Sequence, residues 1–228
     1  MTTYSQDERR ALCALLDETG PDAPTLCEGW TTLDLAAHLV LREHRPVAGM
    51  GVLGGPLAGY TAHVQRTMGA RVPYARLVET VRNGPPRFSL FALPGVDERA
   101  NLAEYFVHHE DVRRAAPGWE PRELAPGLTE ELWRRLRLRA TRLILRKVPV
   151  GVELARDDVD AGHGDGDGDD GEPRQLRITI RNGTPVVTVV GDPAELTLWA
   201  FGRTTAARVR LEGAAQPVQT LSEARWRL

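Results

Sequence analysis

Thiols are nearly missing from this chain. Its 228 residues include only Cys13 and Cys27, with no C-x-x-C pair, which argues against a disulfide framework and against a zinc site built of thiolates. A reducing, cytoplasmic setting is the expectation that follows. Cys27 could be reactive at the approach to the second helix, but it stands beside an apolar residue, Leu26, and an isolated cysteine of that kind more often reads as packed and inert. Long apolar runs are missing too: none approaches the roughly 18 residues of a membrane span. The start, MTTYSQDERRALCALL, has no basic stretch leading into an apolar core, so neither a membrane partner nor export is expected. Charge of one sign is also lacking, with 29 basic against 31 acidic residues and a net charge of -2. Neither a basic field nor an aromatic-basic groove therefore points to nucleic acid. Lysine is reduced to Lys147 alone, the bias of a G+C-rich genome. There is no G-x-S-x-G and no evident cysteine and histidine nucleophile pair.

What the chain does have is concentrated in Asn101 to Ala115, NLAEYFVHHEDVRRA. At about 100° per residue on a helix, Glu104 and His108 fall about 40° apart, with Asp111 a further turn along the same side. Leu102, Tyr105 and Val112 turn this helix inward, whereas Glu110, Arg113 and Arg114 are expected to point away. His109 sits about 100° from His108, so one helix does not aim both rings at one ion. Only His108 shares a face with Glu104. A lone Glu/His pair also describes an ordinary buried hydrogen bond, so a ligand set needs a third member. His38 supplies it, on a helix capped by Thr31 and Asp34 and ended before Pro46, where Leu35, His38, Leu39 and Arg42 share one side. Two imidazoles and a carboxylate are a recognised set for a divalent ion with an open position. Arg42, one turn beyond His38, is a candidate for holding an anionic substrate group.

Around this pair the helical pattern runs to about Val148. Ser5 and Glu8 form a capping box ahead of Leu12, Leu15 and Leu16, and a helix ends near Gly20. A Gly-rich loop at 48–59 precedes a short helix through Leu57, Tyr60 and Val64, where His63 has no partner at ligand spacing. Pro73 opens another helix, closed at Asn83 and Gly84. The ligand helix begins near Asp97. A final helix from Thr129 to Lys147 carries Leu132, Leu136 and Leu143, with a solvated arginine face. An antiparallel bundle over 1–148 is the economical packing. Then the period changes. Val150 to Leu154, Leu176 to Ile180 and Val186 to Val190 read as strands, the last two joined by a tight hairpin at Asn182 and Gly183. A helix from Pro193 to Phe201, a strand from Ala207 to Leu211 and a helix after Gln216 complete a smaller α+β domain over 149–228. The acidic stretch at 157–171 fails as a calcium loop, because Asp170 and Leu176 stand where Gly and Glu belong, so a flexible surface loop is expected and His163 is incidental.

The phrases LCEGWTTLDLAAHLV at 26–40 and EYFVHHEDVRRA at 104–115 resemble those of actinobacterial metal-binding proteins related to mycothiol-dependent maleylpyruvate isomerase, in the DinB-like superfamily. GDPAELTLWAFGR at 191–203 is similar to that family's C-terminal domain. The resemblance implies an α+β protein whose N-terminal part is a four-helix bundle with up-down-down-up connectivity, carrying a divalent metal, usually zinc. The family's ligands fall on His38, Glu104 and His108, and Asp111 matches a carboxylate that orients a ligand imidazole. Arg42 and Arg203 are the candidates for substrate binding. Mycothiol is the implied cosubstrate and a small electrophile the partner, in an isomerase or thiol S-transferase whose nucleophile comes from the cosubstrate. The alternative is a metal- or small-ligand-binding protein of the same fold without turnover.

Overall fold

The computed structural model describes residues 3–44, 67–85, 96–158 and 176–226. The loop at 48–59, the short helix through Leu57, Tyr60 and Val64, His63, and the acidic loop beyond Asp158 with His163 lie outside those residues. The protein is α+β, and it divides into two compact units between Arg122 and Glu123. The expected boundary near Val148 is therefore displaced toward the N-terminus. No described helix is long and apolar enough to cross a membrane.

The first unit holds α1 (Tyr4–Thr19), α2 (Thr32–His44), α3 (Tyr74–Asn83) and α4 (Val96–Arg113). α1 lies along α4, and α3 packs against both α1 and α2. Their common core includes Leu12, Leu16, Leu35, Leu39, Val78 and Tyr105. α2 starts as its sequence dictates, because the Thr31 backbone N–H donates to Asp34 at 3.0 Å and closes the first turn. α1 does not: Thr3 is the N-cap, and Ser5 is buried within the helix with its hydroxyl 3.1 Å from Thr3 Oγ1. Glu8, the expected partner in that cap, turns into the protein instead.

Glu8 is taken up by α4, which corrects a second expectation. Glu110 and Arg114 do not point to solvent, being 1% and 5% exposed. The chain after α4 folds back, and Arg122 bridges Glu8 Oε1 at 2.9 Å and Glu110 Oε1 at 2.6 Å. His109 Nδ1 lies 2.9 Å from Glu8 Oε2, and Arg114 Nε donates to Glu110 Oε2 at 2.7 Å. Arg114 also stacks over Trp119, 4.4 Å from its ring centre. A helical period locates the polar side of α4 but carries no signal that another segment covers it.

In the second unit, α5 (Pro126–Leu136) and α6 (Arg139–Ile144) replace the single helix expected from Thr129 to Lys147. Leu138 between them is extended, which rephases the chain so that Leu143 is left 54% exposed while Leu145 is fully buried. Trp133 and Leu136 pack into the core of this unit, the physical reason the boundary precedes them. The strands are β1 (Gly151–Arg156), β2 (Arg177–Arg181), β3 (Val186–Gly191) and β4 (Arg210–Glu212), in the order β2-β1-β3-β4. β1 is antiparallel to β2 and parallel to β3, so the expected hairpin between β2 and β3 does not form. Instead the Asn182–Pro185 connection passes over the start of β1, where Gly151 N–H donates to the Pro185 carbonyl at 2.9 Å. Val152, Leu154, Ile178, Ile180, Val187 and Val189 give the buried face, with α7 (Pro193–Ala200) and α8 (Ala215–Glu223) contributing to the same core. β4 is shorter than expected and pairs antiparallel with β3.

Two tests follow from these contacts. A Cβ on Gly151 would lie 2.4 Å from the Gly183 carbonyl oxygen, so Gly151→Ala should destabilise the second unit by about 2 kcal/mol in urea unfolding. In the first unit, burial alone would raise the carboxyls of Glu8 and Glu110. His109 and Arg122 outweigh it at Glu8, and Arg114 with Arg122 at Glu110, holding both below the ordinary 4.5. Depressed carboxyls contribute stability that is complete above the unfolded-state value and is lost as pH falls through the folded one. Arg122→Ala should therefore cost about 3 kcal/mol at pH 7 and move the midpoint of acid unfolding to higher pH. An unmoved midpoint would mean that the network does not support the fold.

Candidate metal centre

His38 projects from the middle of α2 and is 2% exposed, while Glu104 and His108 lie one turn apart on α4. One carboxylate oxygen, Glu104 Oε1, stands 3.3 Å from His38 Nε2 and 3.2 Å from His108 Nε2. The ligating atoms of the three residues all lie within 4.8 Å of one another. The rings meet edge to face with centres 5.1 Å apart, and Trp30 lies 5.0 Å from the other side of His38. His38 Nδ1 is buried and meets no hydrogen-bond partner among the described residues, so the Trp30 contact helps set its orientation. Two imidazole nitrogens and a carboxylate oxygen at this spacing fit a divalent ion without rearrangement of either helix.

Two of the other candidate residues, Arg42 and Asp111, lie beside the set. Arg42 Nε lies 3.4 Å from Glu104 Oε1, and its guanidinium also donates to the Asn101 side chain. Asp111 is fully buried and its Oδ2 is 2.8 Å from His108 Nδ1, the carboxylate contact that fixes a ligand imidazole. Burial alone would raise Glu104, but Arg42 first, then His108 and His38, hold its carboxyl well below 4.5. Burial pushes His38 below 6.5, which favours the neutral ring. Burial would lower His108 as well, yet its hydrogen bonds to Asp111, Cys27 and Glu104 raise it well above 6.5. Arg203 belongs to the second unit, where its Nη1 donates to the Phe201 carbonyl at 2.6 Å.

Cys27 corrects the sequence reading. It is half-buried rather than fully packed, and its Sγ donates to Asp111 Oδ2 at 3.2 Å. A tight loop holds it there. Pro24 and Thr31 form a bridge, Trp30 N–H donates to the Cys27 carbonyl at 2.9 Å, and Gly29 takes φ +76 between them, a conformation that favours glycine. Leu26 N–H donates to the backbone carbonyl of Asp111 at 3.0 Å, fastening the loop to α4. The available signal was position, because Cys27 lies in the same short phrase that carries Trp30 and His38.

With His108 raised well above 6.5 by its hydrogen bonds to Asp111, Cys27 and Glu104, the protonated ring is favoured, and an ion at Nε2 competes with a proton. Zinc binding at pH 7 should therefore release about one proton per ion, measured by calorimetry in buffers of different ionisation enthalpy, and should weaken as pH falls. Asp111→Asn should reduce the proton release and weaken binding about tenfold or more. Zinc uptake without proton release would place the ion away from His108. In comparisons with family models, with curated proteins and with solved structures, nothing matches this chain.

Proposed function

We propose that the first unit is a DinB-like four-helix bundle with up-down-down-up connectivity, and that the chain is a metal-dependent thiol S-transferase or isomerase of the mycothiol-dependent maleylpyruvate isomerase type. The observation that carries this reading is the convergence of His38, Glu104 and His108 from two helices, with all ligating atoms within 4.8 Å. A divalent ion held there, zinc by preference, supplies Lewis acidity with an open position, so that a low-molecular-weight thiol such as mycothiol loses its proton near neutral pH.

The chain's own residues prepare that event. Arg42 keeps Glu104 ionised, and Asp111 fixes the ring of His108 so that Nε2 faces the ligand set. Arg42 also offers positive charge to an anionic group of the electrophile; Arg203 is a substrate-binding candidate only by the resemblance of the 191–203 phrase. The thiolate adds to an electrophilic carbon of a small molecule. Bond rotation and expulsion then give isomerisation, whereas retention of the new carbon–sulfur bond gives S-transfer.

Zinc-loaded protein incubated with mycothiol and a panel of small electrophiles should consume thiol or interconvert isomers faster than the metal-free protein. A His38→Ala, His108→Ala double variant should lose both the ion, by metal analysis, and the rate. Equal rates with and without metal across the panel would overturn thiol activation. A chelator-sensitive melting temperature without thiol binding would instead identify a metal-binding protein without turnover.

A further inference from the structure

The ring of His108 is clamped end to end. Nε2 lies 3.2 Å from Glu104 Oε1 and Nδ1 lies 2.8 Å from Asp111 Oδ2, so each nitrogen has its own carboxylate. The function proposed above places the ion at Nε2 and leaves Nδ1 to Asp111. At the other end, the same Asp111 oxygen accepts the Cys27 thiol at 3.2 Å. The ligating atoms of Cys27, His108 and Asp111 also lie within 4.8 Å of one another.

We propose that Cys27 Sγ, the Asp111 carboxylate and Nδ1 of His108 form a second metal site, selective for thiophilic divalent ions such as cadmium, which shares His108 with the first site and is filled in its place. The donor chemistry differs from that of the first set by one sulfur, and thiolate selects soft ions over harder ones. A tetrahedral ion with sulfur near 2.3 Å and nitrogen or oxygen near 2.0 Å spaces its ligand atoms about 3.3 to 3.5 Å apart. The Cys27–Asp111 separation of 3.2 Å is about 0.3 Å inside that spacing and the His108–Asp111 separation of 2.8 Å about 0.5 Å inside it, so an ion spreads the donors slightly on entry. Binding expels the Cys27 thiol proton and the Nδ1 proton to solvent. Thiolate and carboxylate then balance the ion's two charges, and the ring keeps one proton on Nε2.

That remaining proton explains why the two sites exclude each other. With an ion at Nδ1, the Nε2–H group donates to Glu104; with an ion at Nε2, the Nδ1–H group donates to Asp111. The two sites are the two tautomers of one ring, each braced by the carboxylate of the other. The loop that presents Cys27 is fastened to α4 through the Asp111 carbonyl, so the sulfur is held in place before any ion arrives. An ion at Cys27 withdraws His108 from the first set, leaving His38 and Glu104 alone.

Cadmium titration of the full chain, read by the ultraviolet sulfur-to-cadmium charge-transfer absorption, tests this directly. The absorption should develop in the wild type and in His38→Ala, which removes a ligand of the first site only. It should vanish in Cys27→Ser, checked for folding by circular dichroism. Cys13 is fully buried with its Sγ 3.9 Å from the Val78 carbonyl, so Cys13→Ala should leave the absorption unchanged. In the unmutated chain, cadmium should also slow alkylation of Cys27 at least tenfold, a readout that needs no variant to fold. Absence of the absorption from either the wild type or His38→Ala, its survival in Cys27→Ser, or unslowed alkylation would overturn the proposal. No thiol cosubstrate or turnover enters these measurements, so a failed thiol activation leaves the second site standing, and the reverse also holds.

Discussion

His108 sits on a buried helix with a carboxylate at each end of its ring, and the first unit is arranged so that these three groups can stay together away from water. An ionised carboxylate in such a place is tolerated only when it is paired and hydrogen-bonded. Glu104 meets that condition through His38, His108 and Arg42, and Asp111 through His108 and Cys27. The spacing on α4 supplies part of this by itself, since residues three and four apart on a helix are neighbours. The remaining partners come from α2 and from the loop before it, so the centre exists only once those elements have docked.

The opposite side of α4 faces the same physical problem and answers it with protein groups alone. Glu8 and Glu110 are surrounded there by His109, Arg113, Arg114 and Arg122, in a network that ties α1, α4 and the chain beyond α4 together. His108 and His109 are consecutive, yet one belongs to the candidate centre and the other to this brace. About 100° of helical rotation separates the two environments.

How much of this was legible in the sequence depends on whether the information is local. The set His38, Glu104 and His108 could be read from helical spacing plus the inward faces of two helices, and Asp34 closing α2 could be read from residue type. Neither requires knowledge of distant chain. The burial of Glu110 and Arg114 depends on Arg122 folding back, and the contact of Cys27 with Asp111 depends on a loop joining residues far apart in sequence. Composition carries neither fact. The exchanged strand order in the second unit has the same origin: Asn182-Gly183 has the residue preference of a two-residue hairpin, but β1 offers β3 a full parallel register and takes the place that local turn chemistry would have given to β2. The break at Leu138 is tertiary as well, because continuing one helix would carry Leu145 out of the core in which it is buried.

The charged groups around α4 distinguish the side that could hold a cation from the side that is braced by arginines. Among the described residues of the brace, two carboxylates, Glu8 and Glu110, face three guanidiniums, those of Arg113, Arg114 and Arg122. On the candidate centre, two carboxylates, Glu104 and Asp111, lie against the ring of His108, and Arg42 is 3.4 Å from Glu104. Hydrogen bonds to Asp111, Cys27 and Glu104 favour a proton on His108 and raise its ring well above 6.5 despite burial. A divalent ion can replace that proton and leave the ring neutral, so the field that holds the imidazolium in the protein also favours the ion. The brace, already rich in positive charge, gains nothing from such an exchange. That contrast separates a carboxylate and histidine cluster suited to metal from one that serves only the fold, although both share a single helix.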